Sequence, residues 1–150
     1  EFLETASAQD RDVLNDGLKS SEILVREKLG QRSPESSPLY LYAAVEPWCI
    51  DTKVNLPVAA ALAKTMGNVV VRCHTREAST DLGVERIPTF ILYDSQFREL
   101  GRWVERPQAV REAMAKATSR DEKLLTRNPY IAGAFRAHTL AELLELLNIA

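Results

Sequence analysis

Trp48-Cys49-Ile50-Asp51-Thr52 marks the point where a buried strand passes into a helix. Residues 39–45 precede it as a nearly continuous apolar and aromatic run, which is typical of a central strand covered on both faces. Beyond it, apolar residues recur every three or four positions as far as Met66, and Gly67 can form the C-terminal cap of the resulting helix. The sequence therefore predicts a strand, a short loop with a cysteine, and a helix.

Cys49 is predicted to be a reactive thiol because it lies at the start of that helix. Unpaired backbone N–H groups and the helix dipole favour a thiolate over a thiol at such a position. Thr52, three residues on, can donate a hydrogen bond to the thiolate and lower the pKa of Cys49, whereas the charge of Asp51 acts against the thiolate. The alternative is that Cys49 is a small buried hydrophobic residue, as many intracellular cysteines are.

Composition limits the classes of protein to which the chain can belong. With 150 residues, a net charge of −2 and 45% hydrophobic residues, it is expected to form one globular domain. Lysine and arginine are dispersed among acidic residues, so no basic face for nucleic acid is expected. The apolar stretches, such as residues 58–63, are far shorter than the roughly 20 residues of a membrane-spanning helix.

The cysteines and histidines bear on the redox compartment and on metal binding. Two cysteines are too few for a disulfide scaffold and no N-terminal signal segment is visible, so we expect a reducing cytoplasm. A trimmed leader stays open, since the chain begins at Glu1 rather than Met. Cys49, Cys73, His74 and His138 show no ligand spacing for zinc, and neither a metal nor another cofactor is expected.

The N-terminal part of the chain predicts one further helix and a second strand. Apolar residues at helical spacing run through the first thirty residues and end at Gly30, and we expect this helix to cover part of a sheet. Residues 31–38 are polar and contain two prolines, which is typical of an exposed loop. Residues 68–73 predict a short buried strand, and the helix between the two strands implies that they are parallel.

The C-terminal part predicts two more strands, which make the sheet mixed, and further helices. In chain order these elements are a short helix over 77–83, strands over 89–93 and 99–104, and a helix over 108–117 opened by Pro107. Residues 119–134 are rich in charge and include Asn128-Pro129-Tyr130, so we expect an irregular segment with a turn. Thr139 and Glu142 fit a capping box at the start of the last helix.

Three features occur in the order and spacing found in one protein superfamily. A Trp-Cys pair follows a buried strand, Pro57 lies inside the next helix, eight residues after Cys49, and Ile87-Pro88-Thr89 leads into another strand. In these features the chain resembles the thioredoxin superfamily over about residues 38–118. The Trp-Cys-x-Asp-Thr loop, with a single cysteine, and residues 101–107 also resemble a bacterial group of thioredoxin-like proteins.

The resemblance implies an α/β, thioredoxin-like fold. A mixed central sheet would be flanked by helices within a single domain over residues 1–150. Residues 1–30 would form a helical N-terminal extension of the core, and residues 119–150 a C-terminal extension.

The resemblance also implies a site around Cys49, which would be the catalytic cysteine of the loop, with Thr52 beside it. Ile87-Pro88-Thr89 would form the floor of a substrate-binding groove, and Trp48 would form one wall. The proline in the floor would be cis and lie next to the thiol, where neighbouring backbone groups can pair with an extended substrate chain.

The chain departs from the superfamily pattern at two positions. Members that reduce disulfides usually have a second cysteine in the loop to resolve the mixed disulfide, and Thr52 cannot do this. A buried acid on the preceding strand commonly assists that second thiol, but Ala43 stands there. Cys73, at the end of the neighbouring strand, could resolve a mixed disulfide of Cys49 or pair with it, or it could be a core cysteine without such a role.

Two functions of different classes follow from the resemblance. The first is a monothiol thiol-disulfide oxidoreductase in which Cys49 attacks a protein or low-molecular-weight disulfide, and glutathione, another small thiol or Cys73 resolves the intermediate. The second is a redox-inactive module that binds a protein or peptide in the groove by Pro88. The sequence leaves the oligomeric state open, because the leucines of the last helix can pack within the domain or between two chains.

Overall fold

The structure is a computed structural model, and it describes residues 2–30 and 37–148. Most of the predicted loop, at residues 31–36, lies outside the described residues. The elements along the described chain are the 3-10 helix Phe2–Thr5, α1 (Ala8–Leu29), β1 (Leu39–Ala44), α2 (Ile50–Met66), β2 (Val69–His74), the 3-10 helix Glu77–Leu82, β3 (Thr89–Tyr93), β4 (Glu99–Val104), α3 (Gln108–Lys116), α4 (Arg120–Ile131) and α5 (Arg136–Asn148). Within these ranges, no helix combines the length and the apolar character that crossing a bilayer requires.

The four strands form one mixed sheet in the order β2-β1-β3-β4, which confirms the predicted α/β fold class. β1 runs parallel to β2 and antiparallel to β3, which is in turn antiparallel to β4. Ala44, at the end of β1, lies opposite Thr89, at the start of β3. The loop after β1 and the residues before β3 therefore meet at one end of the sheet.

The main core lies between the sheet and the helices α1, α2 and α5. Alternate residues of β1, namely Leu39, Leu41 and Ala43, point into it and pack with buried helix residues such as Val58 and Leu143. The opposite face of the sheet packs against the segment that contains the second 3-10 helix. Burial of this apolar surface holds α2, and with it the Cys49 loop, against the sheet.

The N-terminal helix differs from the prediction in extent and in contacts. A 3-10 turn precedes it, and α1 itself begins after Ser7, whose side chain accepts a hydrogen bond from the Asp10 N–H, and ends at Gly30, as predicted. The helix packs chiefly against α2, and it meets the sheet at the edge formed by β2. At the contact, a Cβ atom on Gly17 would lie 3.0 Å from the Pro57 ring, so a residue without a side chain lets the two helices approach.

The prediction of an irregular segment over residues 119–134 is wrong, because α4 occupies most of it. Ser119 and Glu122 form a capping box at its start, in which each side chain accepts a hydrogen bond from the other residue's backbone N–H. Pro129 lies in the last turn, where it removes one backbone hydrogen bond and leaves the earlier turns intact. The buried Tyr130 anchors this end of the helix.

The predicted capping box at Thr139 and Glu142 is also wrong. α5 already begins at Arg136, so Thr139 lies inside the helix. Its buried hydroxyl donates a hydrogen bond to Asn55 Oδ1 at 2.8 Å, and Glu142 accepts one from Trp103 Nε1 at 2.6 Å. Both side chains are thus engaged in tertiary contacts that no local pattern indicates.

The leucines of α5 pack onto the same domain. Leu140 and Leu143 are buried in the main core, and Leu144 and Leu147 pack against it. Of the two alternatives left open by the sequence, packing within the domain accounts for these four side chains.

Candidate functional site

Cys49 is the N-terminal cap residue of α2, with an extended backbone (φ −72°, ψ 126°). Its half-buried thiol donates a hydrogen bond to the carbonyl oxygen of Ile87, with an Sγ to O distance of 3.8 Å. The Cys49 side chain makes no capping hydrogen bond to the helix. The first N–H groups of α2 are therefore not capped by the Cys49 side chain.

Ile87-Pro88-Thr89 lies directly beside Cys49, because β3 starts where β1 ends. The Ile87–Pro88 peptide bond is cis. The Pro88 carbonyl oxygen accepts a hydrogen bond from the Glu105 N–H at 2.7 Å, and the buried Thr89 hydroxyl donates one to the Arg86 carbonyl oxygen at 2.7 Å. These bonds fix the segment to Glu105, which follows β4, and to Arg86, which precedes the cis-proline.

Trp48, the predicted wall of the groove, is exposed to solvent over 66% of its surface. An indole ring that is both exposed and adjacent to a thiol offers an apolar surface to a bound chain. The structure thus places Cys49 beside Ile87-Pro88-Thr89, and the exposed Trp48 directly precedes Cys49 in the chain.

Thr52 is fully buried, and its hydroxyl has no hydrogen-bond partner among the described residues. The predicted hydrogen bond from Thr52 to Cys49 is therefore not formed in this structure. The two residues are still neighbours on the helix surface, because positions three apart lie on the same side of a helical turn. An unpaired buried hydroxyl is unfavourable, so Thr52 carries a polar group whose burial is not compensated within the described residues.

Asp51 is a buried carboxylate, and it is paired with a cation. Arg106 donates two hydrogen bonds to it, from Nε at 2.8 Å and from Nη2 at 2.9 Å. These bonds raise the pKa of Arg106 further above its usual range, so the guanidinium stays charged. The sequence predicted that Asp51 acts against a thiolate at Cys49, but in the structure the charge of Arg106 offsets that of Asp51.

Tyr130 from α4 also donates a hydrogen bond to Asp51, at 2.8 Å. Burial and the nearby Asp51 charge raise the pKa of Tyr130 far above its usual range, which keeps the hydroxyl a neutral donor. The same hydroxyl accepts a hydrogen bond from Asn55 Nδ2 at 2.7 Å. Three elements of the chain are therefore joined at the first turn of α2.

Asn55 completes this polar cluster, which consists of Asp51, Asn55, Arg106, Tyr130 and Thr139. The amide of Asn55 is fully buried, donates to the Glu105 carbonyl oxygen at 3.2 Å, and accepts from Thr139 at 2.8 Å. Glu105 in turn bonds the Pro88 carbonyl through its N–H. The polar cluster thereby links α2, α4 and α5 to the segment that contains the cis-proline.

Sequence reasoning missed Arg106, Tyr130 and Thr139 as parts of the site. Arg106 is 55 positions from Asp51 and Tyr130 is 79 positions from it, so no short-range spacing connects them. The sequence did contain one indication of this pairing, which comes from the chemistry of the side chains and not from their spacing. A carboxylate in the first turn of a largely apolar helix needs a partner, and an arginine just after a strand is able to supply one.

Cys73 lies in different surroundings from Cys49, and both cysteines are free. It belongs to β2, opposite Ala43 of β1, and lines an apolar cleft between α1, α2 and β2 with a volume of about 350 Å³. Burial raises the pKa of the Cys73 thiol to about 11. Leu14, Leu18 and Pro57 are among its neighbours in the cleft, and none of them can stabilise a thiolate.

Metal ligands are not grouped in the part of the chain that the structure describes. There, no three His, Cys, Asp or Glu side chains lie close enough to hold an ion.

A profile of the thioredoxin family matches residues 1–119, which is most of the chain and includes α1. The chain therefore belongs to the thioredoxin family. A search of curated proteins gives no match.

Solved structures give the same fold. The crystal structure of an HIV epitope scaffold is 22% identical, with a TM-score of 0.75, and the match covers 99% of this chain and 90% of that one. A protein of unknown function from Pseudomonas aeruginosa is also 22% identical, with a TM-score of 0.75 and coverage of 98% and 89%. At this level of identity the likeness shows the fold alone.

Proposed function

We propose that the protein is a monothiol thiol-disulfide oxidoreductase in which Cys49 is the nucleophile. The observation that carries the proposal is the position of the Cys49 thiol, at the N-terminus of α2 and 3.8 Å from the carbonyl oxygen before the cis-proline. The helix N-terminus favours a thiolate, and the exposed Trp48 and the Ile87-Pro88-Thr89 segment provide a surface for an extended substrate chain.

The reaction consists of thiol-disulfide exchanges in which atoms and electrons balance. The Cys49 thiolate attacks one sulfur of a substrate disulfide, forms a mixed disulfide, and releases the other substrate sulfur as a thiolate that takes up a proton. An external thiol then attacks the Cys49 sulfur and releases the substrate as its second thiol. A second external thiol frees Cys49 and leaves as the oxidised external disulfide, so two external thiols supply the two electrons.

The external thiol is proposed to be glutathione or another small thiol in preference to Cys73. Cys73 lines the apolar cleft by α1, and its raised pKa leaves little thiolate at neutral pH. The substrate is proposed to be a protein or low-molecular-weight disulfide. Because both cysteines are free, a reducing compartment such as the cytoplasm suits this cycle.

The test compares two single variants in a glutathione-coupled disulfide reduction assay. Cys49→Ser is expected to abolish turnover, and Cys73→Ser is expected to retain most of it. Mass spectrometry of the wild-type protein after brief exposure to the substrate should find the mixed disulfide on Cys49. Full activity of Cys49→Ser would refute the proposal, and loss of activity in Cys73→Ser would transfer the resolving step to Cys73.

A second candidate, a redox-inactive module that binds a protein or peptide, is favoured by two observations. Thr52 replaces the second loop cysteine, and Ala43 occupies the place of the usual buried acid. The segment with the cis-proline, held by Glu105 and the polar cluster, would then serve only for binding. Partner affinity that is unchanged by Cys49→Ser, together with no reduction of any disulfide by the wild-type protein, would favour this candidate.

A further inference from the structure

A small cleft beside the Cys49 loop has no role in the steps above. It lies between the start of α2 and the helices α3 and α4, and its volume is about 110 Å³. Apolar side chains form most of its walls, Arg106 and Arg127 are its cationic groups, and the carboxylate of Asp51, which Arg106 binds, also lines it. The apolar walls come from Ile50, Val110, Met114 and Ile131.

Arg106, which lines this cleft, has one hydrogen-bond donor without a partner among the described residues. Its Nε and Nη2 atoms are bound to Asp51, and Nη2 also lies 3.5 Å from the Glu105 carboxylate. Its Nη1 group has no hydrogen-bond partner within residues 2–30 and 37–148. Since the side chain is 31% exposed, this group is able to donate to a ligand in the cleft.

Arg127 gives the cleft an uncompensated positive charge. The charges of Arg106 and Asp51 offset each other, and Glu105 is paired with Arg86 at 3.1 Å. Arg127 is exposed on α4, and it has no ion pair with any residue that the structure describes. The cleft therefore suits a group with an apolar stem and an anionic end.

The cleft is close enough to the reacting sulfur to bind part of the same substrate. Ile50, which forms one of its walls, directly follows Cys49, and consecutive Cα atoms are about 3.8 Å apart. An extended substrate advances about 3.3 Å per residue, so a residue next to its cysteine, or the one beyond, reaches this distance. The volume equals that of roughly three or four water molecules, which suits an acidic side chain better than an aromatic ring.

We propose that this cleft binds an acidic side chain, one or two residues from the cysteine of the substrate disulfide. The carboxylate lies between Arg127 and the spare Nη1 of Arg106, and the side-chain methylene groups contact Ile50 and Met114. The proposal rests on the proposed function of Cys49 and defines a preference for disulfides with acidic neighbours.

The test uses peptides whose single cysteine is activated as a 2-pyridyl disulfide. Pairs of peptides carry Glu or Gln at the same position, one or two residues from the cysteine. Attack by Cys49 forms the mixed disulfide and releases pyridine-2-thione, which is followed by absorbance. The wild-type protein is expected to react about threefold to tenfold faster with the Glu peptide of at least one pair.

Variants on α4 assign the preference to the cleft. Arg127→Gln should remove the preference, and Arg127→Glu should reverse it. Lys123→Gln removes an exposed cation from the same helix but outside the cleft, and it should leave the preference intact. Arg127 and Lys123 are both exposed, so we expect all three variants to fold like the wild type.

Failure of this proposal and failure of the proposed function give different results. Equal rates for the Glu and Gln peptides in every pair, with rapid reaction of Cys49, would overturn the acidic preference and leave the function standing. An equal loss of preference in Lys123→Gln and Arg127→Gln would also overturn it, because a general surface charge would then explain the effect. No reaction of Cys49 with any peptide would overturn both.

Discussion

Cys49 follows β1 and Cys73 lies within the neighbouring parallel strand β2, and the surroundings of the two thiols differ. Cys49 lies at a helix N-terminus and donates to the Ile87 carbonyl, beside the exposed Trp48. Cys73 lines the apolar cleft by α1, where burial raises its pKa to about 11. The comparison teaches that neighbouring strands place their cysteines in different surroundings, with a helix N-terminus beside Cys49 and apolar side chains around Cys73.

The first prediction concerns the alkylation rates of the two thiols. At pH 8 a thiol with a pKa of about 11 is ionised in roughly one molecule in a thousand, whereas a free cysteine is ionised in about one in four. We expect iodoacetamide to modify Cys49 at least about 100 times faster than Cys73 in the folded protein, as measured by peptide mass spectrometry. The rate at Cys73 should keep rising up to about pH 11. Equal alkylation rates of Cys49 and Cys73 at pH 8 would show that the two thiols do not differ in reactivity.

The second prediction concerns the cleft that protects Cys73. Leu14→Ala removes a buried side chain that lines its cleft, and it should lower the free energy of unfolding by about 3 kcal/mol, as measured with urea. Alkylation of Cys73 should become faster, while that of Cys49 should not change. Val13→Ala, at a position that is 45% exposed on the same helix, is the control and should do neither. A Cys73 rate that does not respond to Leu14→Ala would mean that the cleft does not protect the thiol.

The third prediction concerns a substitution that changes the charge near Cys49. Asp51→Asn leaves Arg106 without its anion and should lower the free energy of unfolding by about 2 kcal/mol. The unpaired guanidinium then favours a negative charge nearby, so Cys49 should be alkylated several times faster at pH 6. Asp121→Asn, which removes an exposed carboxylate from the first turn of α4, should leave the rate at Cys49 unchanged and lower the free energy of unfolding by less than about 1 kcal/mol. A slower reaction of Cys49 in Asp51→Asn would show that Asp51 assists the thiolate.

The fourth prediction concerns Thr52. Thr52→Val replaces a buried hydroxyl that has no partner among the described residues by a methyl group, so stability should be unchanged or rise by up to about 1 kcal/mol. If the hydroxyl turns to the thiolate, alkylation of Cys49 at pH 7 should fall about threefold. Thr52→Ser keeps the hydroxyl and should keep the rate. Equal rates for all three proteins would exclude Thr52 from the chemistry of Cys49.

The strands and α2 were predictable because their signals are local. β3 and β4 have the predicted bounds, and Gly67 caps α2 in a left-handed conformation (φ 73°), as its position suggested. In each case the pattern of apolar residues and the residue that ends the element lie within one short stretch of chain.

The C-terminal part was not predictable in the same way. In α4, Asn128-Pro129 was interpreted as a turn, but a proline in the last turn of a helix is compatible with it. Ser119 and Glu122 did carry the local signal of a helix start. Thr139 had a similar signal, and it was misleading, because a fully buried hydroxyl is committed to a distant partner, Asn55. The polar cluster depends on such partners and so could not be derived from spacing.

The two tryptophans of the chain lie in different surroundings, so their fluorescence responds to different events. Trp48 is solvent-exposed next to Cys49, whereas Trp103 is 6% exposed, stacks on Phe90 with ring centroids 5.3 Å apart, and donates to Glu142. Emission from Trp48 should occur at longer wavelength and be quenched when Cys49 carries a disulfide, while emission from Trp103 should change only on unfolding. Under the proposed function, Trp48 would therefore report the redox state of Cys49, and Trp103 would be an internal reference for folding.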